Sequence, residues 1–300
     1  MDYLLILLAD LGIAAQFCLS KLYQKRTLTA ADGMRAYIRR SVFFSMISGL
    51  VGMVFFFCLS SFRLNLTPFS VVFAVSLALV STTLQLTGIA MMSFGSVAVY
   101  TMFMMLGGML LPFVAGIFFF GEQITPMRAV GLIVLCAALA LSALGGSATE
   151  TNARRKKAFY GFCTAVFVLN GAVSILSKTH QMSAQRMETN EFIVLSNLVG
   201  VIISAVIYLV VKAPNANVAE KGAWRNILII CIFSVTSGLA YMLQLIGAAH
   251  IDASVLYPMV TGGTIVLSTF AGWVFFSEKP GRRTLISSAA ALAATIMFIF

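Results

Sequence analysis

Ten apolar runs, each about as long as a bilayer is thick, constrain this chain more than any other feature of its sequence. A helix needs about 20 apolar residues to cross a hydrocarbon core of about 30 Å. The runs are too long and too unalternating for barrel strands, so we predict an all-α membrane protein with ten transmembrane helices. They lie at about 3–23, 41–59, 69–90, 96–120, 127–144, 158–178, 190–211, 225–249, 252–276 and 282–300.

The composition argues against a soluble fold. Of the 300 residues, 60% are hydrophobic and 10% are charged, whereas soluble domains carry about 25% charged residues. The net charge of +10 would suggest a nucleic-acid partner in a soluble protein. Here the basic residues lie between the apolar runs, so we expect a lipid bilayer around the chain and no nucleic-acid partner. The first run lacks a basic segment before it, which favours a retained span over a signal peptide.

A sequence repeat divides the chain into two related halves of five spans each. Three segments recur in order at offsets of 155 to 159 residues. We therefore expect a first repeat at 1–146, a basic linker at 147–157 and a second repeat at 158–300. The matched segments are 19–24 with 176–181, 84–86 with 243–245, and the glycine pair 107–108 with 262–263.

The odd number of spans per half has a consequence for topology. The second half must enter the membrane from the opposite side, which predicts two inverted five-helix repeats around a central cavity. Sixteen of the 20 Lys and Arg residues fall in or beside the loops that follow the odd-numbered spans. The positive-inside rule places these loops in the cytoplasm and both termini outside, in a multi-pass protein of the cell membrane.

Two short motifs carry a resemblance to a known family. Phe120-Gly121-Glu122 and Phe276-Ser277-Glu278 close the glycine-rich fourth and ninth spans, shortly before Pro126 and Pro280. With its two halves of five spans, the chain resembles the ten-span EamA-type proteins of the drug/metabolite transporter superfamily. The resemblance implies a basket of helices around a cavity, and transport of small metabolites or drugs without ATP hydrolysis. Such proteins usually have cytoplasmic termini, whereas the charges here predict the reverse.

Asp10 is the only acidic residue well inside a span, about 10 Å from the start of its helix. A central carboxylate costs roughly 2.5–3.5 kcal/mol, so it must face a cavity or a partner, or be protonated. The segment 8–12, Leu-Ala-Asp-Leu-Gly, resembles the first span of the small multidrug resistance family. There the acidic residue binds protons or a cationic substrate. The resemblance implies that Asp10 is a coupling carboxylate; the alternatives are a structurally paired carboxylate or one at headgroup depth.

Neutral polar side chains inside the spans are the other candidates for binding a substrate. Amides and hydroxyls in hydrocarbon need a partner, so they should face the protein interior. Each could line a cavity or form a hydrogen bond between helices. Pro258, beside one of them, and Pro112 predict kinks in the ninth and fourth spans. The candidates are Gln85, Tyr100, Asn170, Asn197, Tyr241, Gln244 and Tyr257.

Charged residues near the span ends favour structural roles. Lys21 and its repeat counterpart Lys178 are expected to extend to the membrane interface. Glu122 and Glu278 are expected to cap helix ends, and the basic cluster at 154–157 to act as a topology signal. Glycines in the fourth and ninth spans should permit close helix packing: Gly107, Gly108, Gly116, Gly262, Gly263 and Gly272.

These observations favour a secondary transporter of a small organic molecule. The sequence carries none of the common hydrolase, kinase or dinucleotide-binding motifs and no Cys/His cluster, so we expect no enzyme activity, cofactor or metal. Lys and Arg do not occur at mid-span, which favours a cation or a zwitterion as substrate, with coupling to protons through Asp10. The alternatives are a signalling or scaffold membrane protein and, less favoured, a lipid-modifying enzyme.

Overall fold

The computed structural model describes residues 2–27, 34–91, 97–143, 153–211, 223–277 and 279–300. Within these ranges the chain forms ten α-helices and no strand, which confirms the all-α prediction. The helices are α1 (Asp2–Thr27), α2 (Met34–Leu59), α3 (Pro68–Met91), α4 (Val97–Phe119), α5 (Pro126–Ala143), α6 (Ala153–Met182), α7 (Thr189–Val210), α8 (Ala223–His250), α9 (Ala253–Phe276) and α10 (Arg282–Met297).

Nine helices in the described part of the chain, α1 to α9, are long and apolar enough to cross a membrane. The last helix, α10, has 16 residues and is shorter than the others. Large apolar side chains project from the bundle, as lipid contact requires. Phe118, Leu209 and Phe275, for example, are 76%, 74% and 74% exposed. These helices give the chain the character of a multi-pass membrane protein.

The connections between helices vary in length. Only Ile251 and Asp252 separate α8 from α9, so these two helices form a tight hairpin. The connection between α3 and α4, at 92–96, lies outside the described residues. Helix α6 begins inside the predicted linker 147–157, and the side chains of the basic cluster at 154–157 are not among those described. The helices α4 and α9 continue through Pro112 and Pro258.

Hydrogen bonds gather one set of helix ends on one side of the bundle. The Tyr3 hydroxyl donates to the Ile299 carbonyl, which joins the start of α1 to the end of α10. Loop 60–67 reaches the start of α7, where Asn65 donates from Nδ2 to Glu191 at 3.0 Å. The end of α6 contacts the start of α3, where the Ser70 hydroxyl lies 2.9 Å from His180 Nε2. We call this side, with loops 60–67, 120–125, 183–188 and 251–252, the terminal face.

The main contacts between helices join the first half of the chain to the second half. Helix α1 packs against α8 and α9, while α6 packs against α3 and α4. Three further contacts join α2 with α7, α4 with α9, and α5 with α10. Every one of these contacts joins a helix from the first five to a helix from the last five. The two halves are therefore interlocked and do not pack as separate bundles.

The two largest apolar clusters of the described residues fill much of the interior. The larger one lies between α4, α5, α9 and α10 and includes Met109, Leu135, Leu256 and Phe298, all nearly inaccessible. The second lies near the terminal face between α2, α3, α7 and α8. Its centre is Phe192, whose ring stacks on the buried imidazole of His180 at 3.7 Å between centroids. This second cluster closes the bundle toward the terminal face.

Candidate functional site

A polar cavity of about 440 Å³ lies among α1, α2, α3, α6, α7 and α8. Most of its lining side chains carry a hydroxyl or an amide, and none of the lining residues that the structure describes is Asp, Glu, Lys, Arg or His. The polar lining residues are Gln16, Ser45, Ser48, Ser81, Thr82, Gln85, Ser196, Asn197, Ser204, Ser234, Ser237 and Tyr241.

Helical periodicity explains how so many polar groups converge. Residues three and four apart share one face of a helix. On α2 the lining residues are at 45, 48, 49 and 52, and on α8 they are at 234, 237, 238 and 241. Both series have the spacing of 3, 1 and 3 that places them on one stripe. Each helix therefore turns its polar stripe inward and its apolar side toward lipid or neighbouring helices.

Gly52 makes room for the polar groups at the centre of the cavity. A Cβ at this position would lie 3.0 Å from Asn197 Nδ2 and 3.1 Å from Ser234 Oγ. The absence of a side chain on α2 thus lets an amide from α7 and a hydroxyl from α8 meet over its backbone. Ser234 donates to the Ser48 carbonyl at 2.6 Å, which ties α8 to α2 beside them.

Hydrogen bonds hold two further lining residues in place. The Ser45 hydroxyl donates to Gln85 Oε1 at 3.0 Å, joining α2 to α3. The Tyr241 hydroxyl lies 2.9 Å from Ser177 Oγ, joining α8 to α6. In contrast, the Ser196 Oγ is buried and makes no hydrogen bond to any residue that the structure describes. The lining therefore contains both fixed groups and groups with free hydrogen-bonding capacity.

Three sequence candidates lie on this cavity: Gln85, Asn197 and Tyr241. Gln244 does not line it and is half-buried on α8 nearer the terminal face. The pair of repeat-related amides is therefore split, with one member on the cavity and one away from it.

Three more candidates have polar partners elsewhere in the bundle and do not line this cavity. Asn170 donates from Nδ2 to the Met104 carbonyl at 2.7 Å, which joins α6 to α4. The Tyr257 hydroxyl donates to the Ser174 carbonyl at 2.7 Å, which joins α9 to α6. Tyr100 points along its own helix, with its hydroxyl 3.7 Å from the Met104 sulfur. In each of these contacts the polar group meets a partner inside the bundle, as hydrocarbon surroundings require.

Asp10 lies between α1 and α9, away from the cavity lining. It is 3% exposed, and its Oδ2 occupies the space that a Cβ on Gly263 would need, at 1.9 Å. Neither Asp10 Oδ1 nor the neighbouring Thr264 Oγ1 makes a geometrically defined hydrogen bond within the described structure. Ionising a buried carboxylate costs free energy when one of its oxygens has no hydrogen-bond donor.

A cluster of charged groups closes the terminal face beside α9. Glu122 accepts hydrogen bonds from the backbone N–H groups of Ala253 at 2.6 Å and Ser254 at 2.8 Å. These donors belong to the first turn of α9, where intrahelical partners are lacking. Glu122 thus caps a helix end, though the helix belongs to the other half of the chain. Gly116 leaves the space for it, because a Cβ there would lie 2.4 Å from Glu122 Oε2.

Lys178 corrects one sequence expectation. We expected its ammonium to extend to the interface, but the residue is 3% exposed and Nζ donates to the Ile251 carbonyl at 2.5 Å. The carboxylates of Glu122 and Asp252 act on the same ammonium. A main-chain carbonyl at the end of α8 and nearby opposite charges replace the solvent that the side chain gives up.

The packing role of the glycines is visible at the contact of α4 with α6. A Cβ on Gly107 would lie 2.0 Å from the Phe167 carbonyl oxygen, so the two helices meet backbone to backbone. Gly262 has a similarly close neighbour in the Thr295 hydroxyl, at 2.1 Å from a Cβ placed there. Glu278, the second predicted cap, lies outside the described residues.

The cavity serines are the main residues that sequence reasoning missed. Serine is common in membrane helices and small enough to pack anywhere, so no single serine attracts attention. The stripe spacing on α2 and α8 is the signal that could have identified them, together with 81, 82 and 85 on α3.

The fold and cavity define a class: a multi-pass α-helical membrane protein with a polar chamber inside the bundle. The model of the EamA-like transporter family matches residues 157–300, which confirms the resemblance drawn from the motifs. The matched residues make up the second half of the chain, and EamA-like proteins are membrane transporters of small molecules.

A solved structure with the bare title "Crystal structure of protein" supports the fold along the whole chain. It has a TM-score of 0.72 at 18% identity, covering 97% of this chain and 95% of the other. At that identity the likeness concerns the fold alone. None of the curated proteins matches the sequence.

Proposed function

We propose that this protein is a secondary active transporter that carries a small organic molecule through the central cavity by alternating access. The observation that carries the proposal is the polar cavity of about 440 Å³ inside a bundle of the EamA-like transporter family. A cavity of this kind has the size of typical small-molecule sites. Its polar stripes face one another from helices of both halves, so relative movement of those helices would reshape it.

Inverted repeats would supply the two access states. The proposal is supported by the direction of corresponding helices: α1 starts at the terminal face, as Tyr3 indicates, whereas α6 ends there. Likewise α2 ends at loop 60–67 and α7 starts beside it. The neighbour order agrees, because the contacts of α1 with α8 and α9 correspond to those of α6 with α3 and α4. Repeats 1–146 and 158–300 would be the units.

The cavity is offset from the terminal face. Gln85 lies about 9 Å before the end of α3 on the opposite side, and Gln244 lies about 9 Å before the end of α8 on the terminal side. They are at matching depths from opposite faces, yet only Gln85 lines the cavity. If the basic loops opposite the terminal face lie in the cytoplasm, as proposed, the cavity faces the cytoplasm in this structure. We infer that in the outward state Gln244 replaces Gln85 in the lining.

A cysteine-accessibility experiment tests the exchange. In a background without native cysteines, Gln85→Cys and Gln244→Cys would be labelled in oriented membrane vesicles with a maleimide applied from either side. Gln85→Cys should react from the cytoplasmic side, and conditions that favour the outward state should lower its rate while raising that of Gln244→Cys. Ile133→Cys, on a side chain 69% exposed toward lipid, is the control. Parallel changes at 85 and 244 would contradict alternating access.

Transport itself requires a flux measurement. Purified protein in liposomes, preloaded with one compound from a metabolite panel, should show counterflow of that compound's labelled form. The panel should span neutral, zwitterionic, cationic and anionic molecules small enough for the cavity. Failure of every compound to exchange in protein that retains its fold would remove the transporter assignment. Maleimide labelling of cysteines placed in the loops after odd-numbered spans, in the oriented membrane vesicles of the accessibility experiment, would report whether those loops are cytoplasmic.

Proton coupling is the finer part of the proposal and rests on Asp10. The carboxylate lies between α1 and α9, so a proton gained or lost there would act on the contact between two helices that belong to different halves. Direct contact with a cationic substrate is not supported, because Asp10 does not line the cavity. We expect Asp10→Asn to retain counterflow but to lose uptake driven by a pH gradient. Unchanged gradient-driven uptake in this variant would refute the coupling role.

A further inference from the structure

We infer that the cavity selects a molecule without net or local ionic charge that carries several hydrogen-bonding groups, such as a polyol, a sugar or a nucleoside. This inference rests on the proposed transport function and replaces the cation or zwitterion that the sequence favoured as substrate. It derives from the chemistry of the lining, which the sequence alone did not reveal.

The first step is electrostatic. An ionised group that enters a cavity between apolar helices loses hydration and needs an opposite charge or metal in return. The lining residues described by the structure offer neither, since all of them are uncharged. Asp10 packs against Gly263, outside this lining, and Lys178 and Glu122 are engaged at the terminal face. A cation, an anion or either end of a zwitterion would therefore find hydrogen-bonding groups but no opposite charge in this lining.

The second step concerns hydrogen bonds. A hydroxyl both donates and accepts, and an amide presents two donors and an acceptor, so a lining of these groups can match a ligand's hydroxyls in either sense. Asn197 and Ser234 meet over Gly52, and the buried Ser196 Oγ has no partner in the described structure. Sites built to pair with a ligand's hydroxyls strongly reject analogues that lack them, because the site's polar groups are then left unpaired.

The third step is size. The cavity of about 440 Å³ has the volume of roughly 15 water molecules at about 30 Å³ each, which is enough for a hexose or a nucleoside. Gly49 and Gly52 line the cavity, and α7 packs closely against both. A Cβ on Gly49 would lie 2.7 Å from Val201, and a Cβ on Gly52 would lie 3.0 Å from Asn197. The lining therefore favours a compact polar solute.

The experiment compares matched skeletons of different charge in counterflow and in ligand-induced thermal stabilisation. One series is glucose, glucosamine and gluconate; a second is uridine and uridine monophosphate; glutamine represents the zwitterions. We expect exchange to be confined to neutral members, with the best neutral compound at least tenfold tighter than its charged analogues. Exchange of a charged member with rejection of its neutral analogue would overturn the inference while leaving the transport function intact. No exchange of any compound would overturn both.

A variant distinguishes cavity chemistry from packing. Asn197→Asp introduces a carboxylate of nearly the same shape beside Gly52, while Asn197→Ser keeps the position neutral. We expect Asn197→Asp to weaken the neutral substrate at least tenfold and to improve the rank of the cationic analogue, whereas Asn197→Ser should retain the neutral preference. An unchanged charge preference in Asn197→Asp, in protein of normal stability, would refute the assignment of this lining as the selective site.

Discussion

Glu122 provides the sharpest quantitative prediction, because one carboxylate from the first half of the chain caps a helix of the second half. Its two hydrogen bonds to the N–H groups of Ala253 and Ser254 measure 2.6 and 2.8 Å, in the range of charge-assisted bonds. Bonds to charged groups contribute roughly 1.5–3 kcal/mol, and the loss of a helix cap costs about 0.5–2 kcal/mol. Because the two figures describe the same contact, we expect Glu122→Ala to lower the free energy of unfolding by about 1.5–3 kcal/mol.

Two variants calibrate this prediction. Glu122→Gln keeps one carbonyl acceptor but loses the charge and the second acceptor, so about half of the loss is expected. Gln123→Ala alters the adjacent exposed residue and should change stability by no more than about 0.5 kcal/mol. Because Lys178 would lose a neighbouring carboxylate, Glu122→Ala should also loosen the terminal face and raise maleimide labelling of Gln244→Cys.

Equilibrium unfolding in mixed detergent and dodecyl sulfate micelles measures the effect. The two tryptophans, Trp224 at the start of α8 and Trp273 near the end of α9, provide the fluorescence signal. If Glu122→Ala unfolds at the same denaturant fraction as Gln123→Ala, the cap does not contribute and the reasoning is refuted. A loss as large in Glu122→Gln as in Glu122→Ala would show that charge, and not the number of acceptors, determines the effect.

Further predictions concern the same helix end and the glycine contact. Asp252 is the N-cap residue of α9 by position, but its side chain makes no capping bond and forms a half-exposed ion pair with Arg128 at 3.1 Å. Asp252→Ala should therefore cost at most about 1 kcal/mol in the same unfolding assay, and a loss equal to that of Glu122→Ala would contradict this view. Gly107→Ala places a methyl group 2.0 Å from the Phe167 carbonyl oxygen and should destabilise the protein by about 1–3 kcal/mol or more. Gly161→Ala, where nothing lies within 4 Å, should be neutral or stabilising by up to about 1 kcal/mol, and equal effects of the two alanines would refute the close-contact interpretation.

Polar residues inside the spans are of two kinds: some line the cavity and others join helices. Gln85, Asn197 and Tyr241 were predicted to face the interior because they are polar side chains in apolar spans, and they line the cavity. Asn170 was predicted on the same ground, yet its amide donates to a carbonyl of α4. Both outcomes satisfy the requirement that amides in hydrocarbon find a partner, so the requirement cannot distinguish between them. The distinction depends on which helix lies opposite, and that is a property of the assembled bundle.

For the charged residues Lys178 and Glu122, too, the partner depends on which helix lies opposite in the assembled bundle. A lysine near a span end is expected to reach water, since a long side chain can do so at little cost. Here the end of α8 places the Ile251 carbonyl within 2.5 Å of the ammonium, and the cost of burial is offset there. Glu122 was expected to cap a helix, which it does, but the sequence gives no means of knowing that the helix would be α9.

The ten apolar runs determined the helices, because the thickness of a bilayer and the need to satisfy backbone groups leave a run of about 20 apolar residues no other stable form. Sequence alone also pointed to two related halves and to the family that residues 157–300 match. Only the tertiary structure decided which polar stripes converge. A helix of uniform hydrophobicity can turn many faces inward, and the choice follows from close contacts such as Gly107 against α6 and Gly52 against α7. Those contacts separate the uncharged cavity from Asp10, and with it the proposed substrate site from the proposed site of proton coupling.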